Sequence, residues 1–196
     1  MSKTPDEVYL ILKEYCRTKL RVSQEDSEFF CCKFKFKRTK RNELLLSAGD
    51  VCPHMYFINK GCLRVYMMDR DGREATRFVM MESRFGTAFP SFILQEPSLA
   101  YIQSVEPSEL LYINFSEFNN LLNTFPGWER VYRINLEKDY IASIKRIESL
   151  ITMDAKERYE MLLATEPQLI QRLPSKIVAD YLGISQETLS RLKSKK

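Results

Sequence analysis

The side chains whose types and spacing are best suited to chemistry lie near the end of the sequence, in LPSKIVADYLGISQETLSRLKSKK from Leu173 to Lys196. Gln186, Glu187, Thr188, Ser190, Arg191 and Lys193 are polar or charged, whereas Leu189 and Leu192 among them are apolar at helical spacing. A helix here turns the two leucines inward and offers the polar set to its outer side, where it can hydrogen-bond to a nucleic acid. The preceding residues supply the rest of a helix-turn-helix. Ile177, Val178, Tyr181 and Leu182 recur at helical spacing, and Ala179 is small enough for a second helix to approach closely. Gly183 takes the turn, where positive φ carries no Cβ penalty. Ile184 plugs the corner, and Ser185 is the expected N-cap of a second helix that in this motif enters a DNA major groove. The alternative is an ordinary helical hairpin with a solvated face.

Charge supports the nucleic-acid reading. Residues 171–196 hold Arg172, Lys176, Arg191, Lys193, Lys195 and Lys196 against Asp180 and Glu187, a net of +4 that equals the formal charge of all 196 residues. The basic excess is therefore local, as a phosphate footprint requires. No apolar run is long enough to span a bilayer, and the N-terminal MSKTPDEVYLILKEYC has no signal-peptide pattern, so a cytoplasmic chain with no membrane partner is expected. Cys16, Cys31, Cys32, Cys52 and Cys62 include no CxxC pair, and His54 is the single histidine. These spacings match neither zinc nor an iron–sulfur cluster, so no metal and no cofactor are expected. An odd cysteine count without an export signal also argues against a disulfide framework. The cysteines read as small buried hydrophobes, with Cys31 and Cys32 on opposite faces if they lie on a strand. No nucleophile–base pair or phosphate loop is present, so no enzyme and no catalytic residue are expected.

The elements that must position the polar helix can be read upstream. Residues 5–30 are mostly helical, with an apolar stripe of Val8, Leu10, Ile11, Leu12, Tyr15 and Leu20. Cys32-Lys33-Phe34-Lys35-Phe36-Lys37 then alternates with period two, a strand signature whose lysines form a solvated face. From about 30 to 113, short strand-like runs are separated by turn residues such as Ala48-Gly49-Asp50, Asn59-Lys60-Gly61 and Asp69-Arg70-Asp71-Gly72, the pattern of a β-sandwich or roll. Asn114 and Glu117 form a capping box for a helix near 115–123, which Pro126-Gly127 ends. Residues 128–151 are one long helix whose apolar residues, from Val131 to Ile151, cover more than one face and so need two partners. Asp154 with Glu157 caps a further helix to about 164, and Thr152-Met153 is the expected linker.

In this order, and with these residues, the chain resembles the Crp/Fnr family of bacterial transcription regulators over nearly its whole length. SQETLSR, Ser185 to Arg191, is similar to the family's recognition-helix start, and ELLLSAGDVCPHMYFINKGCLRVYMMDRDGREATRFV, Glu43 to Val79, to its cyclic-nucleotide-binding roll. Gly49, Gly61, Gly72 and Gly86 fall where that roll uses glycines at corners. The resemblance implies an α+β fold: an N-terminal double-stranded β-helix (jelly roll) with N-terminal helices over 1–127, a dimerisation helix over 128–151, and a helix-turn-helix DNA-binding domain over 152–196. It implies a homodimer through the 128–151 helix on a palindromic site of double-stranded DNA. Phosphate contacts fall to Lys176, Thr188, the Lys193–Lys196 tail and backbone N–H groups near Ser185, and base reading to Gln186, Glu187, Ser190 and Arg191.

Two departures bear on function. Cyclic-AMP-binding members carry a Gly-Glu-Leu step and an Arg-Ser-Ala step, whose Glu holds the ribose and whose Arg pairs with the phosphate. The matching positions here are Gly86-Thr87-Ala88 and Ser98-Leu99-Ala100, without either charge. A buried anion lacking its partner is costly, so cyclic AMP is not the expected effector. The roll then holds an unidentified small molecule, binds nothing, or serves only as a dimerisation scaffold. Arg84, Gly86, Thr87, Ser91, Ser98 and Tyr101 are the ligand candidates, with ordinary loop polarity as their other reading. The family's β-hairpin wing is expected to be absent or truncated, since the sequence given ends at Lys196, about where the recognition helix should end. The alternative function is a ligand-binding regulatory module whose C-terminal helices contact a protein partner instead of DNA.

Overall fold

The switch in periodicity near residue 33 marks a true boundary between helices and sheet, displaced by about one turn. The computed structural model describes residues 5–19 and 21–194, so Leu20 of the apolar stripe and Lys195 and Lys196 of the basic tail lie outside the described residues. The helical stretch is two helices, α1 (Pro5–Lys19) and α2 (Gln24–Cys31). Val8 and Leu12 are buried, but Leu10 is 59% exposed, because 100° per residue puts it on the opposite side of α1. The backbone N–H groups of Lys33 and Phe34 still donate to the carbonyls of Phe30 and Cys31, and β1 covers only Lys35–Thr39. Cys31 and Cys32 therefore end a helix and do not lie on a strand; Cys31 is buried and Cys32 exposed.

Seven further strands follow: β2 (Leu44–Leu46), β3 (His54–Lys60), β4 (Leu63–Met68), β5 (Glu74–Met80), β6 (Phe85–Gly86), β7 (Tyr101–Ser104) and β8 (Ser108–Asn114), with helix α3 (Phe89–Leu94) between β6 and β7. They form two four-stranded sheets, ordered β1-β8-β3-β6 and β2-β7-β4-β5. This is the expected antiparallel roll. Phe57 lies opposite both Leu111 of β8 and Phe85 of β6, and Tyr56 opposite Tyr112. Every residue from Met55 to Asn59 is buried, as a strand covered on both faces must be, so β3 reads as an unbroken apolar run without alternation. Two-residue β6 and six-residue α3 are too short for periodicity to reveal.

Helix α4 (Phe115–Thr124) starts where expected, with Asn114 Oδ1 accepting from the Glu117 N–H at 2.8 Å. The reciprocal half of the capping box is not formed among the described residues; Glu117 Oε2 is buried without a hydrogen-bond partner. Helix α5 spans Pro126–Thr152, so Pro126 and Gly127 open it and do more than end α4. A proline in the first turn costs nothing, since its missing N–H has no intrahelical acceptor there. The fully buried Trp128 sits among Phe30, Phe34, Phe85 and Phe118, at centroid distances of 5.4, 5.7, 5.9 and 5.9 Å. Beyond it, Leu136, Tyr140, Ile141, Ile144, Ile147, Leu150 and Ile151 are exposed. Helix α6 (Ala155–Thr165) carries the complete Asp154–Glu157 capping box. The unforeseen α7 (Pro167–Arg172), then α8 (Ser175–Leu182) and α9 (Gln186–Ser194), complete the order. Thr152 ends α5, so only Met153 and Asp154 separate it from α6.

The chain divides into two compact units. One takes the chain up to Val65 together with Val79–Glu137; the other takes Tyr66–Phe78 and everything from Lys138. Among the described residues, no helix is long and apolar enough to cross a membrane.

Two roll glycines separate conformational strain from packing. Gly61 and Gly72 have φ of +101° and +75°, and a Cβ on Gly61 would come within 2.8 Å of the Ser108 Cα, while one on Gly72 meets nothing within 4 Å. Gly72→Ala is expected to lower the unfolding free energy by about 1–2 kcal/mol from the dihedral alone. Gly61→Ala should cost about 2–4 kcal/mol, because displaced backbone adds to the same strain. Urea titration of the two variants reads the difference.

Candidate nucleic-acid interface

A helix that stops at a tight turn leaves its last carbonyls without partners. Gly183 has φ +66° and ψ 40°, and its N–H donates to the Asp180 carbonyl at 3.1 Å; the Ile184 N–H donates to the Ala179 carbonyl at 3.0 Å. This pair of bonds is a Schellman turn. The next two carbonyls of α8 receive arginines. Arg146 Nη1 donates to the Tyr181 carbonyl, and Arg158 Nε to the Leu182 carbonyl at 2.9 Å. Arg158 Nη1 also holds the Met153 carbonyl at 2.6 Å. The Arg146 guanidinium lies 4.2 Å from the centre of the Tyr181 ring. Burial, joined by the Arg158 charge, holds the Arg146 pKa below its usual range against the raising effect of Tyr181, and Arg146 stays a cation at neutral pH. Two cations at this helix C-terminus complement its dipole.

The turn delivers α9 with its start capped. Ser185 Oγ accepts from the Thr188 N–H at 3.1 Å and lies 3.1 Å from Thr188 Oγ1. Leu189 is fully buried and Leu192 half-buried. Gln186, Glu187, Ser190 and Arg191 are brought together on one exposed face. Thr188 and Lys193 are half-buried at its edges, so the sequence expectation that both stand on the outer side is corrected: 100° per residue turns them toward the flanks. Lys193 Nζ donates to Ser175 Oγ at 3.1 Å, tying α9 to the start of α8. The Ser185 hydroxyl is the main cause that holds the Glu187 carboxyl below its ordinary 4.5. Arg191 Nε is 3.5 Å from the Glu187 carbonyl, a long contact that is easily exchanged. Lys176 stands on α8, with Nζ 3.4 Å from Glu74 Oε2. Sequence reasoning missed Ser194, exposed on the same side of α9, and the arginine pair behind the turn; no local pattern links Arg146 or Arg158 to carbonyls 35 and 24 residues away.

The ligand candidates belong to the other unit, and their hydroxyls bond within the chain. Thr87 Oγ1 donates to the His54 carbonyl at 2.8 Å and lies 3.2 Å from Cys52 Sγ. Ser91 Oγ accepts from the Cys52 N–H at 2.9 Å and donates to the Glu96 carbonyl at 2.6 Å. Ser98 Oγ donates to the Ala100 carbonyl at 2.9 Å. Arg84 is exposed and its carbonyl accepts from the Ile58 N–H, while Tyr101 is half-buried on β7. Gly86 lies in β6, where a Cβ would meet the Met80 side chain. His54 titrates below the ordinary 6.5, first through burial and then through Lys37 and Lys35. Burial pushes Cys31 up to about 12 and raises Cys16 as well. Among the described residues, no group of three or more His, Cys, Asp or Glu could hold a metal ion.

Residues 36–125 match the family described as cyclic nucleotide-binding domain. The cAMP-activated global transcriptional regulator CRP of Pasteurella multocida is 21% identical over 175 residues, which cover 84% of this chain and 84% of that protein. The transcriptional regulatory protein btr of Bordetella pertussis is 20% identical over 170 residues, 81% of this chain and 69% of its own. Among solved structures, that of the c-di-GMP responsive global regulator CLP of Xanthomonas campestris superposes with a TM-score of 0.71 at 19% identity, covering 88% of this chain and 91% of that one. These relatives are named as regulators, not enzymes.

The cap offers a direct check on the geometry. Ser185→Ala removes the acceptor for the Thr188 N–H. It is expected to lower stability by about 1 kcal/mol and to speed amide exchange in the first turn of α9, both measurable by hydrogen-exchange NMR.

Proposed function

We propose that this chain is a transcription regulator of Crp/Fnr type, cytoplasmic and sequence-specific in its DNA binding, that acts as a homodimer on a palindromic site. The observation that carries the reading is the single exposed face of Gln186, Glu187, Ser190 and Arg191 on a capped α9, seated on a turn that two arginines staple. Major-groove edges offer matched partners: guanine O6 and N7 for Arg191, adenine for Gln186, cytosine N4 for Glu187. Glu187 is suited to accept because its carboxyl stays ionised. Phosphate contacts fall to Lys176, Thr188, Lys193 and the N–H groups at the start of α9. The working division is a roll over 1–127, a dimerisation helix over 128–151 and a DNA-binding domain over 152–196. The roll's effector, where it has one, is a small molecule other than cyclic AMP.

The dimer reading rests on α5. Leu136, Tyr140, Ile144, Ile147 and Ile151 are exposed and fall within about 80° of one another on a helical wheel, a stripe that water solvates poorly. Steps of four, four, three and four suit a two-stranded coiled coil with a second copy of the same helix. A palindromic site requires the two recognition helices of such a dimer to lie about 34 Å apart, one turn of DNA. Ile147→Glu is expected to convert the dimer to monomer in sedimentation velocity; an unchanged sedimentation coefficient places the seam elsewhere.

Selection from a random duplex pool at two salt concentrations tests the function itself. A palindrome with one-turn half-site spacing and a steep salt slope is the expected outcome. On the selected site, Arg191→Ala should lose about 1–3 kcal/mol and relax one base position. Lys176→Gln should weaken all sequences alike and reduce the salt slope by about 0.9 per protomer. No enrichment at either salt, with the chain folded, leaves the C-terminal helices as a protein-binding surface.

A further inference from the structure

The β4–β5 hairpin turns at Asp69–Arg73, where Asp69 Oδ1 accepts from the Asp71 and Arg73 N–H groups. Its tip, Tyr66–Phe78, shares a compact unit with α6 to α9 and the later part of α5. Period two puts Glu74, Thr76 and Phe78 on one side of β5 and Ala75 and Arg77 on the other. The first side is covered, with Thr76 buried and Glu74 and Phe78 half-buried, whereas Ala75 and Arg77 are exposed. Arg146 does part of the covering. Its Nη2 donates to the Thr76 carbonyl at 3.1 Å while Nη1 holds the Tyr181 carbonyl at the end of α8. Two residues before Thr76, Glu74 Oε2 meets Lys176 Nζ at 3.4 Å in the first turn of α8.

We infer that the hairpin is an autoinhibitory latch on the DNA surface, in which Glu74 competes with a DNA phosphate for Lys176. The inference rests on the DNA-binding reading and adds a regulation to it. Arg146 fixes the backbone of β5 against the end of α8, and the strand period then presents Glu74 to the start of the same helix. The pair is partly solvated, with the two side chains 56% and 25% exposed. Such pairs are individually weak, so this one is exchangeable and tunes affinity without abolishing it. On the same side of the strand, Thr76 Oγ1 is buried with no hydrogen-bond partner among the described residues. The tip holds Asp69, Asp71 and Glu74 against Arg70, Arg73 and Arg77, so it is neutral overall. Its effect on a polyanion therefore runs through the placement of Glu74 and not through net charge.

The test is fluorescence anisotropy of a labelled mixed-sequence duplex at two salt concentrations with the full chain. Four proteins are compared: wild type, Glu74→Gln, Lys176→Gln and the double variant, each checked for cooperative thermal unfolding. Glu74→Gln is expected to bind about two- to fivefold more tightly than wild type and to show a steeper salt slope. That gain should vanish when Lys176 is already Gln. A Glu74→Gln variant that binds no better than wild type overturns the latch while leaving DNA binding intact. An equal gain in the Lys176→Gln background also overturns it, since the effect is then one of bulk charge. Binding by Glu74→Gln alone, with wild type inactive, supports the latch in its strongest form. If none of the four proteins binds duplex, the DNA-binding reading itself fails and the latch falls with it.

Discussion

Burying one indole organises the first unit. Trp128 lies in the opening turn of α5 and is surrounded by phenylalanines from α2, from the segment before β1, from β6 and from α4. Edge-on and tilted ring contacts at these distances favour definite geometries, so each ring restricts the others. Elements that are distant in sequence therefore meet at one side chain. The arrangement carries a cost, because the indole Nε1 is buried with no hydrogen-bond partner among the described residues. Leaving such a donor unsatisfied costs about 1–3 kcal/mol, against about 1.5–3 kcal/mol gained for each large apolar side chain buried around it. The cluster wins by numbers, with Phe30, Phe34, Phe85 and Phe118 all buried. It also explains why α5 begins at a proline: the first turn has to be made immediately after Phe125, and Pro126 is already set to a helical φ.

The second unit solves a different problem, one of polarity. A helix-turn-helix needs its first helix to stop within a residue or two, in a small domain with little apolar surface to cover the exposed carbonyls. Gly183 and Ile184 satisfy two of them through backbone bonds, and Arg146 and Arg158 satisfy the next two. Neither arginine faces the outer side of α9. They hold the end of α8, and through it the start of α9, by bonds to the Tyr181 and Leu182 carbonyls. The same Arg146 reaches the hairpin carbonyl of Thr76, so the residue that fixes the turn also brings a carboxylate next to Lys176.

What the sequence made legible was local. The Gly183 turn, the Ser185 cap, the Asp154–Glu157 capping box and the Asp-Gly hairpin each depend on residues within a few positions of one another, and each sits where its pattern placed it. The series of roll strands was readable for the same reason, with Gly49, Gly61 and Gly72 at positive φ, whereas Gly86, also expected at a corner, lies within β6. The errors arose where distant contacts outweigh pattern. The lysine–phenylalanine alternation suggested a strand from Cys32, but Lys33 and Phe34 are still held by carbonyls of α2. Asn114 and Glu117 have the spacing of a capping box, yet only one of the two bonds forms, because the Glu117 carboxyl is partly buried. Thr188 and Lys193 looked as polar as their neighbours, and only the packing of α9 separates a flank from a face. The arginine staple joins residues 35 and 24 positions apart and the Glu74–Lys176 pair residues 102 apart, separations at which local pattern carries no signal.

The ligand cassette is the place where family resemblance and chemistry part. Thr87, Ser91 and Ser98 are where the sequence resemblance implies a phosphate-binding cassette, but their hydroxyls already donate to the carbonyls of His54, Glu96 and Ala100. A hydroxyl has one proton to give, so an anion could recruit these groups only by breaking bonds that hold the loop. Neither of the positions matching the charged steps supplies a carboxylate for a ribose or a guanidinium for a phosphate. The Ala88 position that begins α3 adds no side-chain cap either. Recruiting Thr87, Ser91 or Ser98 to a small anion would therefore break a bond to the His54, Glu96 or Ala100 carbonyl.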